Sequence, residues 1–524
     1  MSGRDTNDHA GSGRCGPDGK FVRPSIWLSL SGGGLRAAIF QYGCLKRLNE
    51  LNLLGHVYAT TGTSGGALMA ALLQQYQDTI STDLNKRHLL YNYNWEAFER
   101  SFLSLAKRGV FAPTLLLVLA YLLYVAGLVF RGIAFVVSRW VHWKGLHAFS
   151  LTLSILILIT GLVLHVVLAS ILITDNAHAA SDATGNDPAK SPRSKRRILR
   201  LFLMLLSPSY LRWQTLNFRV FKGQLLSAMP KAPMTLLTAV EMNSGKEMVF
   251  SSGLYSNLSD GRKLWEQRTA NKRNKSGTIE VAQAVAASTA LPPWFRPVPI
   301  WNAEGLVGVF VDGGVLDNYS LNVPRSFSVS IHPRRGQRYD GSSTSLLSFR
   351  RMTSFILMMD GGKAPETTAR SEWGRLRTIA RLFPILVDQQ FAAAQVAARD
   401  FDWNAGIPTR IVGLSPGFPP GTTLRDDVIA RYVARIRTHL DSFSLEECAV
   451  VAYCGYTWID VLAREREMIE HYEGARWAPL TDFPKILPDY CGIWQTSLDG
   501  LRRHLRYSNR RFRFFRSLGR RLGI

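Results

Sequence analysis

Cysteine is scarce in this chain: 5 among 524 residues, at Cys15, Cys44, Cys448, Cys454 and Cys491. The count is odd and the spacing suits no metal site, which excludes a disulfide framework and points to a reducing compartment. Acidic residues are also short. There are 39 Asp and Glu against 63 Lys and Arg, a formal charge of +24 with a pI near 10.1. An excess of that size calls for an anionic partner, either nucleic acid or an anionic membrane surface. Residues Met1 to Lys20 lack the apolar core of a signal peptide, and 1–23 reads as a disordered polar tail. Apolar material is plentiful, at 46% hydrophobic and 11% aromatic residues, so a substantial core is available.

The most informative stretch is Thr61-Gly62-Thr63-Ser64-Gly65-Gly66, between an apolar run (Val57 to Thr60) and a small-residue run (Ala67 to Leu73). It reads as strand, sharp turn, helix. Glycines flank a serine where a turn is too tight for side chains, and the serine oxygen then sits at a helix N-terminus. Upstream, the strand-like Ser25 to Leu30 runs into Ser31-Gly32-Gly33-Gly34-Leu35-Arg36, and a helix continues to about Leu54. Three consecutive glycines present a row of backbone N–H groups, suited to an anion. Gly32-x-Gly34-x-x-Ala37 also fits a loose dinucleotide fingerprint, but the next strand ends in the serine turn and not in an acid. In a right-handed βαβ unit both loops face the same C-terminal edge, the arrangement of an oxyanion hole beside a nucleophile.

The composition then changes. Phe111 to Phe130 carries no charge, and Leu146 to Thr174 contains no Asp, Glu, Lys or Arg. Each meets the roughly 20-residue length of a bilayer-crossing helix, so 111–174 is expected to form a membrane helical hairpin. Its connector holds only Arg139 and Lys144, whereas Lys107, Arg108, Arg193, Lys195, Arg196 and Arg197 lie among the basic flanks. That asymmetry places both flanks, and with them the catalytic part, on the cytoplasmic side. Residues 175–212 read as a polar linker and an interfacial segment.

Strand-like runs resume at Thr235 to Glu241 and Glu247 to Ser251, with a small-residue helix at Ile279 to Ser288 and a rigid loop at Leu291 to Pro297. Two apolar strands end alike, in Asp312-Gly313-Gly314 and Asp360-Gly361-Gly362; a strand-end acid often only caps a turn, so one of the two is expected to be structural. Residues 366–500 read as helical. In 501–524, Leu501, Leu505, Phe512, Phe515 and Leu522 fall on one helical face and most arginines on the other, a basic amphipathic helix suited to anionic lipid.

Glycine loop, serine turn and strand-end Asp-Gly-Gly, in that order, resemble the patatin-like phospholipases. The family's oxyanion motif is similar to Gly32-Gly33-Gly34-Leu35-Arg36, its nucleophile motif to Gly62-Thr63-Ser64-Gly65-Gly66, and its Asp-Gly-Gly motif to Asp312-Gly313-Gly314. Ala286 to Pro293 looks like the family's approach to its aspartate, which favours Asp312 over Asp360. The resemblance implies an α/β fold, a patatin-like sheet sandwiched by helices, here in two parts (24–110 and 213–365) interrupted by the hairpin. It implies Ser64 as nucleophile, Asp312 as base, Gly32, Gly33 and Gly34 as oxyanion donors, and no metal or cofactor. Arg36 is placed in substrate binding, at the lipid phosphate, with a support for the glycine loop or a solvent-facing helix charge as the other readings. Some positions depart from the pattern: Ser31 stands where many members have Asp, Ala37 where glycine is usual, and the later Asn and Pro are matched less regularly, by Asn322 and Pro324. A Ser-Asp-His triad through His332 or His439 stays open on chain order. The expected activity is hydrolysis of phospholipid or lysophospholipid esters at a membrane. A neutral-lipid lipase, a transacylase or a non-catalytic scaffold are the alternatives; nucleic acid is not expected as partner.

Overall fold

The computed structural model describes residues 25–77, 91–109, 208–257, 279–329, 353–362, 389–399, 407–420 and 443–487, with breaks of one or two residues, and a few isolated positions that include Leu501 and Leu505. The expected hairpin at 111–174, most of the basic segment 501–524, and His332 and His439 lie outside the described residues. No described helix is long and apolar enough to cross a membrane.

Among the described residues, nine strands form one mixed sheet. β1 (Ile26–Leu30) lies at its centre, with β2 (Val57–Thr63) on one side and β8 (Phe355–Asp360) on the other, both parallel to it. β3 (Met234–Glu241) continues the parallel set beyond β2, and β9 (Thr409–Gly413) beyond β8. Antiparallel strands complete the far side: β4 (Lys246–Ser251) pairs with β3, and β5 (Leu254–Asn257) with β4. β7 (Gly305–Asp312) also pairs with β3, at its C-terminal end, and β6 (Val298–Asn302) pairs with β7.

The central strands are buried on both faces, which explains why their sequences are continuously apolar or small. In β1, Ile26, Leu28 and Leu30 join one core with Leu357 and Met359, while Trp27 joins a second core with Tyr58, Leu236, Ile356 and Met358. The larger core is covered by α1 (Gly34–Glu50), α2 (Gly65–Gln75), α3 (Trp95–Arg108), α4 (Pro208–Leu216), α5 (Val281–Ser288) and α7 (Leu445–Glu465). The smaller is covered by Tyr319, Leu321 and Val323, leading into α6 (Asn322–Val329), and by Ala394 from the helical residues 389–399.

α7 packs along α1 closely enough that a Cβ on Gly43 would come within 1.8 Å of Ala452 O, so glycine is required at that crossing. Ser444 caps α7 by accepting from Glu447 N at 3.2 Å, and Glu447 Oε2 accepts in return from Ser444 N at 2.9 Å, a reciprocal capping box. Between the two helices Arg47, fully buried, donates from Nε to Asp460 Oδ1 at 3.0 Å and from Nη1 to Tyr456 Oη at 3.1 Å.

The region 366–500, read from sequence as helical, also supplies a strand. Thr409–Gly413 extends the sheet beside β8. A run this short, set among helix-like segments, carries little period of its own, so it reads with them as helical. Leu501 and Leu505, assigned from sequence to a lipid-facing stripe, are 2% and 1% exposed and belong to the larger core.

Candidate active site

β1 to β2 to β3 advance across the sheet in one direction, while β8 and β9 fill the other side of β1. The order therefore reverses between β1 and β8, the place at which open α/β sheets generally carry their sites. The glycine loop leaves β1 there and the serine turn leaves β2 beside it.

Ser64 is the N-cap of α2 and has φ 53° and ψ −118°, a backbone conformation that side chains rarely adopt. Strain of this kind costs about 1–3 kcal/mol and persists only where the surroundings enforce it. They do so here. Ser64 N donates to Ser288 Oγ at 2.9 Å, and a Cβ on Gly65 would stand 2.1 Å from Gly34 O, so serine turn and glycine loop touch backbone to backbone.

Asp312 ends β7, pairs with Ala239 of β3 in the sheet, and is 2% exposed. Its N–H donates to Ala290 O at 3.1 Å and its Oδ1 accepts from Gly314 N at 2.8 Å. The Ser64 hydroxyl is near enough to favour the ionised form of the carboxylate. Burial raises its pKa to about 6, against the opposing influence of the Gly314 N–H, the Ser64 hydroxyl and the positive charge of Arg212.

The three glycines are not equivalent. Gly32 N donates to Asn318 O at 2.7 Å, so its N–H is occupied and does not serve as an oxyanion donor in this arrangement. The N–H groups of Gly33 and Gly34, at the start of α1, have no hydrogen-bond partner among the described residues. A helix N-terminus leaves such donors open by construction.

Arg36 does not line the opening. It is fully buried and donates to Gly361 O from Nε at 3.1 Å and Nη2 at 2.8 Å, which makes it a support for the loop from behind; burial lowers its pKa to about 10 against the pull of Asp360. The second Asp-Gly-Gly completes that support. Ser31 Oγ accepts from Gly361 N at 2.9 Å, and Asp360 Oδ1 accepts from Gly362 N at 2.7 Å. Of the two strand-end acids, Asp312 faces Ser64 and Asp360 braces the glycine loop.

A sequence model described as patatin-like phospholipase matches residues 28–324, more than half of the 524. The chain belongs to the patatin-like phospholipases. No curated protein matches it. Among solved structures, it is similar to VipD from Legionella pneumophila, at 12% identity over 86% of this chain and 69% of that one, with a TM-score of 0.31. It is also similar to human GIVD cytosolic phospholipase A2, solved in complex with methyl gamma-linolenyl fluorophosphonate, at 13% identity, 86% of this chain and a TM-score of 0.37. The chain spans 59% of the human enzyme's length.

Four further residues of this patatin-like phospholipase serve the site. Ser288 accepts the Ser64 N–H, as described. Asn318, and not Asn322, lies against the glycine loop, with its Oδ1 2.2 Å from where a Cβ on Gly32 would stand. Asn322 N instead donates to Asp317 Oδ2 at 2.6 Å, closing the turn behind. Gln390 holds that turn from the helical residues 389–399: its Oε1 accepts from Asn318 N at 2.9 Å and its Nε2 donates to Gly314 O at 3.2 Å. Arg212 is the fourth. Much of what these residues do passes through main-chain carbonyls, which leave no mark in a residue sequence. Among the described residues, no group of His, Cys, Asp and Glu is arranged to hold a metal ion.

Proposed function

We propose that this protein is a membrane-associated lipid acyl hydrolase of phospholipase A or lysophospholipase type, acting through a Ser64–Asp312 dyad. The observation that carries the reading is the buried Asp312 carboxylate facing the hydroxyl of a strained serine, with two unpaired glycine N–H groups beside it. In the reaction, Ser64 Oγ attacks the ester carbonyl carbon as its proton passes to Asp312. The negative oxygen that forms is received by the N–H groups of Gly33 and Gly34, donors worth about 3–4 kcal/mol each in other hydrolases. Collapse expels the alcohol, which takes the proton from Asp312, and leaves an acyl-serine. A water then gives a proton to Asp312 and attacks the acyl carbon, and the fatty acid leaves as Ser64 regains its proton. A base with a pKa of about 6 is ionised at neutral pH yet closer to it than an ordinary carboxylate, which favours proton transfer.

Lipid as substrate is supported by family membership and by Val315 and Leu316, exposed apolar side chains on the turn that follows Asp312. Attachment to the cytoplasmic face of an anionic membrane rests on the uncharged runs within 111–174, their basic flanks and the net charge of +24.

The test is a lipid-product profile of the full chain on phospholipid vesicles, wild type against Ser64→Ala, with fluorophosphonate labelling in parallel. Ser64→Ala is expected to lose labelling and to release fatty acid about a thousandfold more slowly or worse. Retained turnover in that variant would overturn the assignment. His332→Ala and His439→Ala are expected to keep activity; loss in either would replace the dyad by a triad.

A further inference from the structure

Arg212 is a buried cation that the reaction above does not use. It lies on α4 with 1% exposure, and its Nη1 and Nη2 donate to Thr289 O at 2.7 Å and Ala286 O at 2.6 Å. Those carbonyls belong to the C-terminal end of α5, where helical carbonyls lack partners and partial negative charge collects. The guanidinium is therefore a helix C-cap contributed by another element. Its carbon lies 4.0 Å from the centroid of the Phe295 ring, and its Nε is buried without a hydrogen-bond partner.

The turn it caps is the one that holds both reacting residues by their backbones. Ser288 Oγ accepts from Ser64 N at 2.9 Å, and Ala290 O accepts from Asp312 N at 3.1 Å. Four contacts on residues 286–290 thus join Arg212, Ser64 and Asp312 in one rigid unit. Hydrogen bonds to two neutral carbonyls do not by themselves account for a buried guanidinium, since desolvating a full charge needs a counter-charge nearby. The carboxylate whose charge acts on it is Asp312, without a direct ion pair between them. Among the described groups acting on Asp312, α2 presents the Ser64 hydroxyl, the turn after β7 the Gly314 N–H, and α4 the Arg212 charge; β3 adds only the uncharged Thr238, beside Gly313.

We propose that Arg212 is a positioning residue for the acyl-transfer site, clamping the 286–290 turn that sets Ser64 against Asp312 and supplying the positive charge that balances the Asp312 carboxylate. This inference rests on Asp312 being the base, and the experiment separates the two.

Full-length wild type, Arg212→Gln, Arg212→Lys and Asp312→Asn are compared in detergent by the pH profile of kcat/KM on a short-chain ester, by fluorophosphonate labelling and by thermal unfolding. Arg212→Gln removes the charge, and its acid limb is expected to move up by about one pH unit with kcat reduced about tenfold. Arg212→Lys keeps the charge and loses the fork, so its acid limb is expected to stay while kcat falls. An Arg212→Gln profile with the wild-type acid limb would overturn the charge role. A wild-type kcat in Arg212→Lys would overturn the clamp, and that variant decides the matter if Arg212→Gln does not fold. Asp312→Asn that still labels and turns over would overturn the base assignment itself, and the Arg212 inference with it. An inactive Asp312→Asn beside an unmoved Arg212→Gln profile and a wild-type kcat in Arg212→Lys would sink the Arg212 inference and leave the base assignment standing.

Discussion

Replacing Asp312 by Asn is expected to abolish turnover and at the same time to stabilise the protein, by an amount that depends on pH. Asp312 is 2% exposed and its pKa stands at about 6 in the fold against an ordinary 3.8. The native state thus holds the proton more tightly than the unfolded chain does. Its contribution to stability is fully present below pH 3.8 and is lost as pH rises through about 6. Each tenfold change in proton affinity is worth about 1.4 kcal/mol, so keeping the carboxylate ionised at pH 8 costs about 3 kcal/mol, and about half of that at pH 5. Asn is nearly isosteric, its Oδ1 can keep the Gly314 N–H bond of 2.8 Å, and it never ionises. Asp312→Asn should therefore exceed wild type by about 3 kcal/mol at pH 8 and by roughly half as much at pH 5. Guanidinium unfolding followed by tryptophan fluorescence at both pH values measures the difference. A variant whose advantage over wild type is the same at both, or absent at pH 8, would refute the view that Asp312 is a buried, strained charge.

Gly65→Ala is expected to leave the fold in place and to reduce fluorophosphonate labelling about a hundredfold, because a Cβ 2.1 Å from Gly34 O must push the oxyanion loop away from Ser64; circular dichroism and labelling rate check it together. Arg47→Met leaves the Asp460 carboxylate buried with only Arg464 Nε, at 3.0 Å, still paired to it, and should destabilise the protein by about 3–5 kcal/mol in denaturant titration while the folded fraction labels as wild type does.

The elements of the candidate site were legible because each combines a special backbone with a residue type that only such a backbone favours. Gly62 to Gly66 and Gly32 to Gly34 mark turns too crowded for side chains, and two apolar runs ending in Asp-Gly-Gly pointed to both strand-end acids, while the choice of Asp312 over Asp360 came from the family resemblance of Ala286 to Pro293. Other elements followed from period and propensity: β1, β2, β3, β4 and α5 lie within a few residues of the runs that suggested them. What escaped notice works through carbonyls or across large sequence gaps. Asn318 accepts the Gly32 N–H with its main chain, which any residue carries, so the side-chain amide of Asn322 drew the assignment instead. Arg212 and Ser288 are 76 residues apart, 288 − 212, and nothing local ties a basic residue on one helix to the end of another. Arg36 was ambiguous for the opposite reason, since an arginine after a glycine loop suits a phosphate outside as well as a carbonyl inside.

The place of β8 beside β1 in the sheet has a practical consequence for anyone dividing this chain. The family match stops at residue 324, yet the partner of β1 on its second side is Phe355–Asp360, and the cover over α1 is Leu445–Glu465. A fragment cut at 324 would turn the middle strand into an open edge, ready to pair with another copy. It would also uncover the apolar side of α1 and release the glycine loop from Gly361. Shortened forms of the enzyme should aggregate and stay silent even with Ser64 and Asp312 intact, and a protease nick between residues 324 and 355 should be tolerated only while the two pieces remain associated.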